Sequence, residues 1–189
     1  MLKVGVLSLQ GAVEEHLEMI KRCGFEGIKV KTVGDLEKAD RLIIPGGEST
    51  AIGKLAKIYG LDREIIKKGR EGMPIFGTCA GMILLANKVL GIEQIRFNLI
   101  DIVVERNAFG RQVDSFEVDL KIEDFSGKPF KAVFIRAPYI QKAGREVEVL
   151  AEFMGKIVMA RQKNILVSSF HPELTEDLRI HKYFLSENF

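Results

Sequence analysis

Cysteine and histidine are scarce in this chain: two of the first and three of the second among 189 residues. Cys23 and Cys79 are too few for a disulfide framework and are not spaced like zinc ligands, which excludes a stapled secreted scaffold and a zinc ribbon. A charge of one sign is lacking too. Lys and Arg number 28 against 26 Asp and Glu, a formal +2, so nothing electrostatic asks for nucleic acid or a membrane as partner. No apolar run approaches transmembrane length, and Met1–Leu9 is interrupted too soon by Gln10-Gly11 to read as a signal peptide. Internal repeats, low-complexity tracts and linkers are absent, and the Walker lysine pattern does not follow Pro45-Gly46-Gly47. The remaining balance, 47% apolar and 29% charged, is that of a soluble globular protein, expected as one domain over residues 1–189 in a reducing cytoplasm.

What is present centres on Gly77-Thr78-Cys79-Ala80-Gly81. An apolar run, Met73-Pro74-Ile75-Phe76, leads into it and a helical pattern, Met82–Ala86, leads out. Strand, sharp turn and helix with small residues two before and two after Cys79 copy the nucleophile elbow of serine hydrolases, with sulfur in place of oxygen. Such a turn aims the N–H of Ala80 at the reacting centre, and the helix start favours the thiolate. A base is then needed. His171 follows an apolar strand and precedes Pro172, which biases it toward extended backbone. Extended backbone points residues two apart the same way, so Glu173 can lie beside the imidazole. Cys79, His171 and Glu173 form a nucleophile, base and orienter set.

Blander readings stand beside these. A free cysteine is most often a small buried hydrophobe, which Cys79 could be and Cys23 is expected to be. His16 lies on the Val13-Leu17-Ile20 stripe and reads as packed or partner-facing, and His181 as a surface or edge residue of the last helix. Lys67-Lys68-Gly69-Arg70 reads as a solvated helix end.

The elements alternate through the first half: strand Leu2–Leu9, helix Ala12–Arg22, strand Ile28–Val33, a short acidic turn, strand Arg41–Ile44, helix Ala51–Arg70 broken at Gly60, then the elbow. This rhythm predicts a three-layer αβα sandwich on a flavodoxin-like, mostly parallel sheet, with sites at the carboxyl ends of strands. From Leu99 strand follows strand: Leu99–Glu105, Ser115–Ile122, Lys131–Ile135, Glu146–Phe153, Lys156–Arg161 and Ile165–Phe170, read as hairpins and extensions of the same sheet. A last helix is expected over Glu176–Leu185, capped by Thr175.

At this point the chain resembles the class I, triad-type glutamine amidotransferases, and within them the glutaminase subunits of pyridoxal 5′-phosphate synthases. The elbow and Ser169-Phe170-His171-Pro172-Glu173-Leu174 carry the class. Gly5–Gly11 with Glu14-Glu15-His16, Pro45–Thr50, Arg106-Asn107-Ala108-Phe109-Gly110-Arg111-Gln112 and Phe134–Pro138 narrow it. The resemblance implies hydrolysis of L-glutamine to glutamate and ammonia through a thioester on Cys79, with no cofactor and no metal. Backbone N–H groups of Gly47 and Ala80 would form the oxyanion hole. Gly47, Glu48, Ser49, Arg106, Ile135 and Arg136 would surround the glutamine. Arg106 suits its carboxylate, since a guanidinium can fork onto one, although a surface arginine in a loop is the rival reading.

The resemblance also implies a partner, a (β/α)8-barrel synthase subunit with a dodecameric core. That subunit would use the ammonia to build pyridoxal 5′-phosphate from ribose 5-phosphate and glyceraldehyde 3-phosphate. Gln10, beside the first strand's end, is a candidate for relaying docking to the Gly46-Gly47 peptide. Three rival readings remain. One is a glutaminase for another synthase, such as imidazole glycerol phosphate synthase. Another is a cysteine peptidase or deglycase-like enzyme, disfavoured because Ala80, not histidine, follows the cysteine. The last is a non-catalytic module derived from an amidotransferase.

Overall fold

The computed structural model describes residues 2–106, 115–123, 125–186 and 189. Its centre is a run of short, mostly apolar strands. β1 (Lys3–Leu7), β2 (Glu26–Val30), β3 (Arg41–Ile44), β4 (Ile75–Thr78) and β12 (Ile165–Ser168) lie parallel in the spatial order β2-β1-β3-β4-β12. β3, β4 and β12 are buried at every residue, as parallel strands covered on both faces must be. Successive side chains alternate between the two faces. Leu42, Ile44, Ile75, Ile165 and Val167 meet α3 (Ser49–Ile58), α4 (Leu61–Arg70) and α5 (Ala80–Leu85) through Ile52, Ala56, Leu61, Ile65 and Leu84. Val4, Val6, Ile43, Phe76 and Leu166 meet the other layer, formed by α1 (Val13–Arg22), α6 (Arg179–Leu185) and a separate hairpin. The three-layer architecture and its parallel order are those read from the alternation.

Beyond β12 the sheet continues antiparallel through β11 (Lys156–Gln162), β9 (Tyr139–Ala143) and β6 (Ile100–Glu105), and ends on β5 (Ala86–Val89), parallel to β6. β10 (Glu148–Phe153) pairs with β11. The hairpin of β7 (Ser115–Leu120) and β8 (Phe130–Ile135) stands apart as its own two-stranded sheet, so not every late strand extends the main one. Burial alternates along β7 and β8, so only one face of the hairpin is covered.

Other boundaries differ from the sequence reading for local reasons. The elbow helix ends at Leu85 because Ala86 turns extended and the incoming chain takes the last carbonyls, with Phe97 N–H donating to Leu84 O at 2.6 Å and Leu99 N–H to Leu85 O at 2.9 Å. Strands β5 and β9 were not expected. The acidic turn is a four-residue helix, α2 (Val33–Leu36), closed by a Thr32–Asp35 capping box. The last helix begins at Arg179, not Glu176. Thr175 instead closes a turn, donating to Pro172 O at 2.9 Å and accepting from Asp177 N–H at 3.2 Å, while Asp177 Oδ1 receives the Arg179 N–H at 3.0 Å. Among the described residues no helix is long and apolar enough to cross a membrane.

Candidate active site

Four parallel strands deliver loops to one place at their carboxyl ends: Gln10-Gly11 after β1, Pro45–Glu48 after β3, Cys79 after β4 and Ser169–His171 after β12. The turn at Cys79 is sharp. Its φ of 48° and ψ of −100° lie where an L residue is strained, a strain that active-site turns hold. The flanking glycines permit it through close approach. A Cβ on Gly77 would lie 2.6 Å from the Gly81 carbonyl carbon, and one on Gly81 would collide with Ile44 O. Cys79 N–H donates to Ser168 O at 2.8 Å, which fastens the elbow to β12.

His171 is held by its own N–H, which donates to Val133 O at 2.8 Å. Its Nδ1 lies 2.7 Å from Glu173 Oε1. The pairing forms differently from the expected extended stretch. Pro172–Leu174 is a single 3-10 turn with proline in its first position, and that turn swings the carboxylate back under the ring. Burial works against charge on His171, but hydrogen bonds to Cys79 and Glu173, with their negative charge, outweigh it and push the imidazole up to about 10. Glu173 is also buried, which alone would raise it. His16 and His171 hold it below the usual carboxylate range instead. Cys79 Sγ, 8% exposed as a residue, also lies 3.9 Å from Ile135 O.

Above the sulfur opens a cavity of about 420 Å³, bordered by Gln10, Gly46, Gly47, Glu48, Ser49, Cys79, Arg106, Ile135, Arg136 and His171. Ala80 and Glu173 stand behind its wall, both buried. Gly46 packs so closely that a Cβ there would collide with His171 Cε1. The Gly46 carbonyl accepts from Ala12 N–H at 3.1 Å, so across the trans peptide the Gly47 N–H points the opposite way. Gln10 Oε1 accepts the Glu48 N–H at 2.7 Å, and Gly11, at φ +109°, packs so tightly that a Cβ would strike Gly46 O.

On the far side, Glu48 caps α3. Its Oε1 accepts from the Thr50 hydroxyl at 2.9 Å and stands 3.4 Å from Arg106 Nη2. The Thr50 hydrogen bonds, then Arg106 and Arg136, hold Glu48 below the ordinary carboxylate range. Arg136 has φ of 41°, a second strained non-glycine residue at the cavity.

The SNO glutamine amidotransferase family matches residues 6–189. The chain belongs to that family. This amidotransferase is 58% identical over 186 residues to the "Pyridoxal 5′-phosphate synthase subunit PdxT" of Pelotomaculum thermopropionicum, covering 98% of this chain and 95% of that one. It is 53% identical to the PdxT of Carboxydothermus hydrogenoformans, with 98% and 97% covered. A solved structure described as "glutamine amidotransferase" superposes with a TM-score of 0.92 at 53% identity, covering 96% of each chain. PurLQS of Thermotoga maritima, at 18% identity, shares the fold with a TM-score of 0.69 over 97% of each chain.

Within the amidotransferase every candidate named from the sequence falls at this cavity or directly behind it. The segment Asn107–Gln112 lies outside the described residues. Two features escaped the sequence. Gln94 Oε1 accepts from the Ser49 hydroxyl at 3.1 Å, from a stretch without regular structure that carries no signal. His181 is no surface residue: it is wholly buried with His16, and His16 Nδ1 lies 3.0 Å from His181 Nε2. The spacing of Ile180, His181, Phe184 and Leu185 along α6 is the helical pattern that marks its inner face.

Proposed function

We propose that residues 1–189 act as one glutaminase domain that hydrolyses L-glutamine and hands the ammonia to a pyridoxal 5′-phosphate synthase. The observation that carries this is the Cys79–His171–Glu173 constellation, with Cys79 and His171 lining the cavity and Glu173 behind them, in a chain with more than half its residues in common with PdxT subunits. Cys79 Sγ attacks the side-chain amide carbon, with its proton held by His171. The oxyanion that forms is met by the N–H groups of Gly47 and Ala80. Loss of one such donor costs about 3–4 kcal/mol of barrier in a hydrolase. His171 gives its proton to the departing ammonia and leaves a glutamyl thioester on sulfur. Water, deprotonated by His171, then releases glutamate and restores the thiol. Glu173 keeps Nδ1 of the ring engaged, so Nε2 serves the sulfur.

Glutamine lies with its α-carboxylate toward Arg106 and its α-ammonium toward Glu48, the two opposite charges on the cavity's far side. Ser49, Ile135 and Arg136 border the rest. The partner is a (β/α)8-barrel subunit in a dodecameric core, in the cytoplasm, which joins the ammonia to ribose 5-phosphate and glyceraldehyde 3-phosphate. Gln10, bonded to the Glu48 N–H, relays docking to the Gly46-Gly47 peptide.

Glutamate release should be measured with the chain alone and with the synthase subunit added. Stimulation by that subunit, abolished in Cys79→Ala, is the expected result. Turnover indifferent to the subunit would move the chain to another synthase. No glutamate from folded, reduced protein in either case would overturn the enzyme reading.

A further inference from the structure

Behind the triad, the other two histidines of the chain continue its line inward. Glu173 uses Oε1 for His171, and among the described residues its buried Oε2 has no hydrogen-bond partner. The polar group facing that oxygen is His16 Nε2, at 3.5 Å, which also lies 3.2 Å from the hydroxyl of Thr78, the residue before the nucleophile. His16 Nδ1 in turn meets His181 Nε2 at 3.0 Å, and among the described residues the buried His181 Nδ1 has no partner.

We propose that His16 and His181 are positioning residues of the triad, with His181 Nε2–H donating to His16 Nδ1 and His16 Nε2–H turned toward Glu173 Oε2 and Thr78. This rests on the glutaminase reading. The polarity follows from what each alternative leaves stranded. With the opposite polarity, a lone pair of His16 Nε2 would face a carboxylate oxygen, and a buried N–H would be left at His181 Nδ1 without an acceptor. In the chosen order only an imidazole lone pair goes unmatched.

Burial favours the neutral form of both rings. Burial lowers His16 first, then the charge of His171, against the opposing pull of Glu173 and of Glu15 on its own helix. Burial, then His16, lowers His181 to about 3, with Glu173 opposing. Neutrality matters chemically. A cation beside Glu173 would cancel the charge that holds the proton on His171. A neutral N–H dipole stabilises the carboxylate and fixes its rotation, yet leaves its charge to act on His171, which Cys79 faces from the other side. The same ring touches Thr78, so one imidazole ties the elbow to the orienting carboxylate.

Imidazole nitrogen NMR on the full chain tests this without turnover, since there are only three histidines to assign. His16 and His181 should both appear as neutral Nε2–H tautomers at neutral pH, with any titration below the ordinary 6.5. His16 found as the Nδ1–H tautomer, or titrating at or above 6.5, would overturn the proposal, and this holds even if variants fold poorly. In His16→Leu the His171 titration should shift, because the carboxylate that holds its proton loses a donor. With the synthase present, kcat should fall by at least about tenfold with little change in KM, as expected when a buried charge loses a hydrogen bond. His16→Gln, which keeps a donor at the same reach, should restore most of both. A folded His16→Leu with an unmoved His171 titration would sink the idea, as would Gln and Leu variants equally impaired. Failure of the wild-type chain to release glutamate with any synthase would strike the glutaminase reading instead, and the tautomers would still be readable.

Discussion

The two sides of the cavity are built to different standards. The side carrying Cys79, His171 and Gly46 sits on the ends of parallel strands that are buried at every residue, and its groups are fastened by main-chain hydrogen bonds of 2.8 to 3.1 Å. The side carrying Glu48 and Arg106 is half open. Their side chains are 53% and 25% exposed and meet at 3.4 Å. Chemistry needs reacting atoms held to within a fraction of an ångström, whereas capture of a charged amino acid tolerates side chains that adjust. Substitutions on the first side should therefore act on kcat, and those on the second on KM.

The hardest way to break the comparison is a single methyl on the rigid side. Gly46→Ala places a Cβ against His171 Cε1, with Cys79 Cβ 3.4 Å away on the same flank. The ring must shift, and a shift near 1 Å costs about a hundredfold in rate. Partner-stimulated glutamate release should fall by that much or more while the protein stays folded. Gly34→Ala, with only Thr32 Oγ1 at 3.9 Å and an ordinary φ, is the matched control and should be silent. An active Gly46→Ala would mean that the floor of the site is softer than its packing implies.

On the open side, Arg106→Ala removes the guanidinium expected to meet the glutamine carboxylate. A charge-assisted hydrogen bond lost there should raise KM by about 10- to 100-fold and leave kcat within a few-fold. Because the pair with Glu48 is partly exposed, added salt should narrow the gap between variant and wild type. A kcat effect as large as that of Gly46→Ala would erase the distinction between the two sides.

The rigid side was also the more legible in the sequence. Strand Arg41–Ile44 and the elbow around Cys79 carry local signals: an apolar run, paired glycines, a proline after the histidine. Those signals arise from the same backbone demands that make the site rigid. What stayed hidden depends on distant partners. β5 went unread because Ala86-Asn87-Lys88-Val89 has two exposed polar residues and no strand signature, and only pairing with β6 makes it a strand. His181 lies between charged Arg179 and Lys182 and looks solvated, yet its side of α6 is turned inward with Ile180 and Phe184 against Phe76 and Val6. The Glu173 pairing was foreseen from the wrong backbone. An extended stretch and a 3-10 turn both bring a carboxylate to the ring, and composition alone does not separate them.

The smallest effect, and the sharpest on the rigid side, is in stability against pH. His171 sits at about 10 in the folded chain against 6.5 when unperturbed, so folding favours its protonated form. Its contribution is fully present below pH 6.5 and is lost progressively as pH rises from there through about 10. The wild-type Tm should therefore decline across that window more steeply than the Tm of His171→Gln, which has no proton to lose. The difference between the two curves isolates His171, because any uniform cost of the substitution shifts a curve without changing its slope. Parallel curves would mean that the imidazolium is no better held folded than unfolded. The pairing with Cys79 and Glu173 would then supply geometry but no net charge stabilisation.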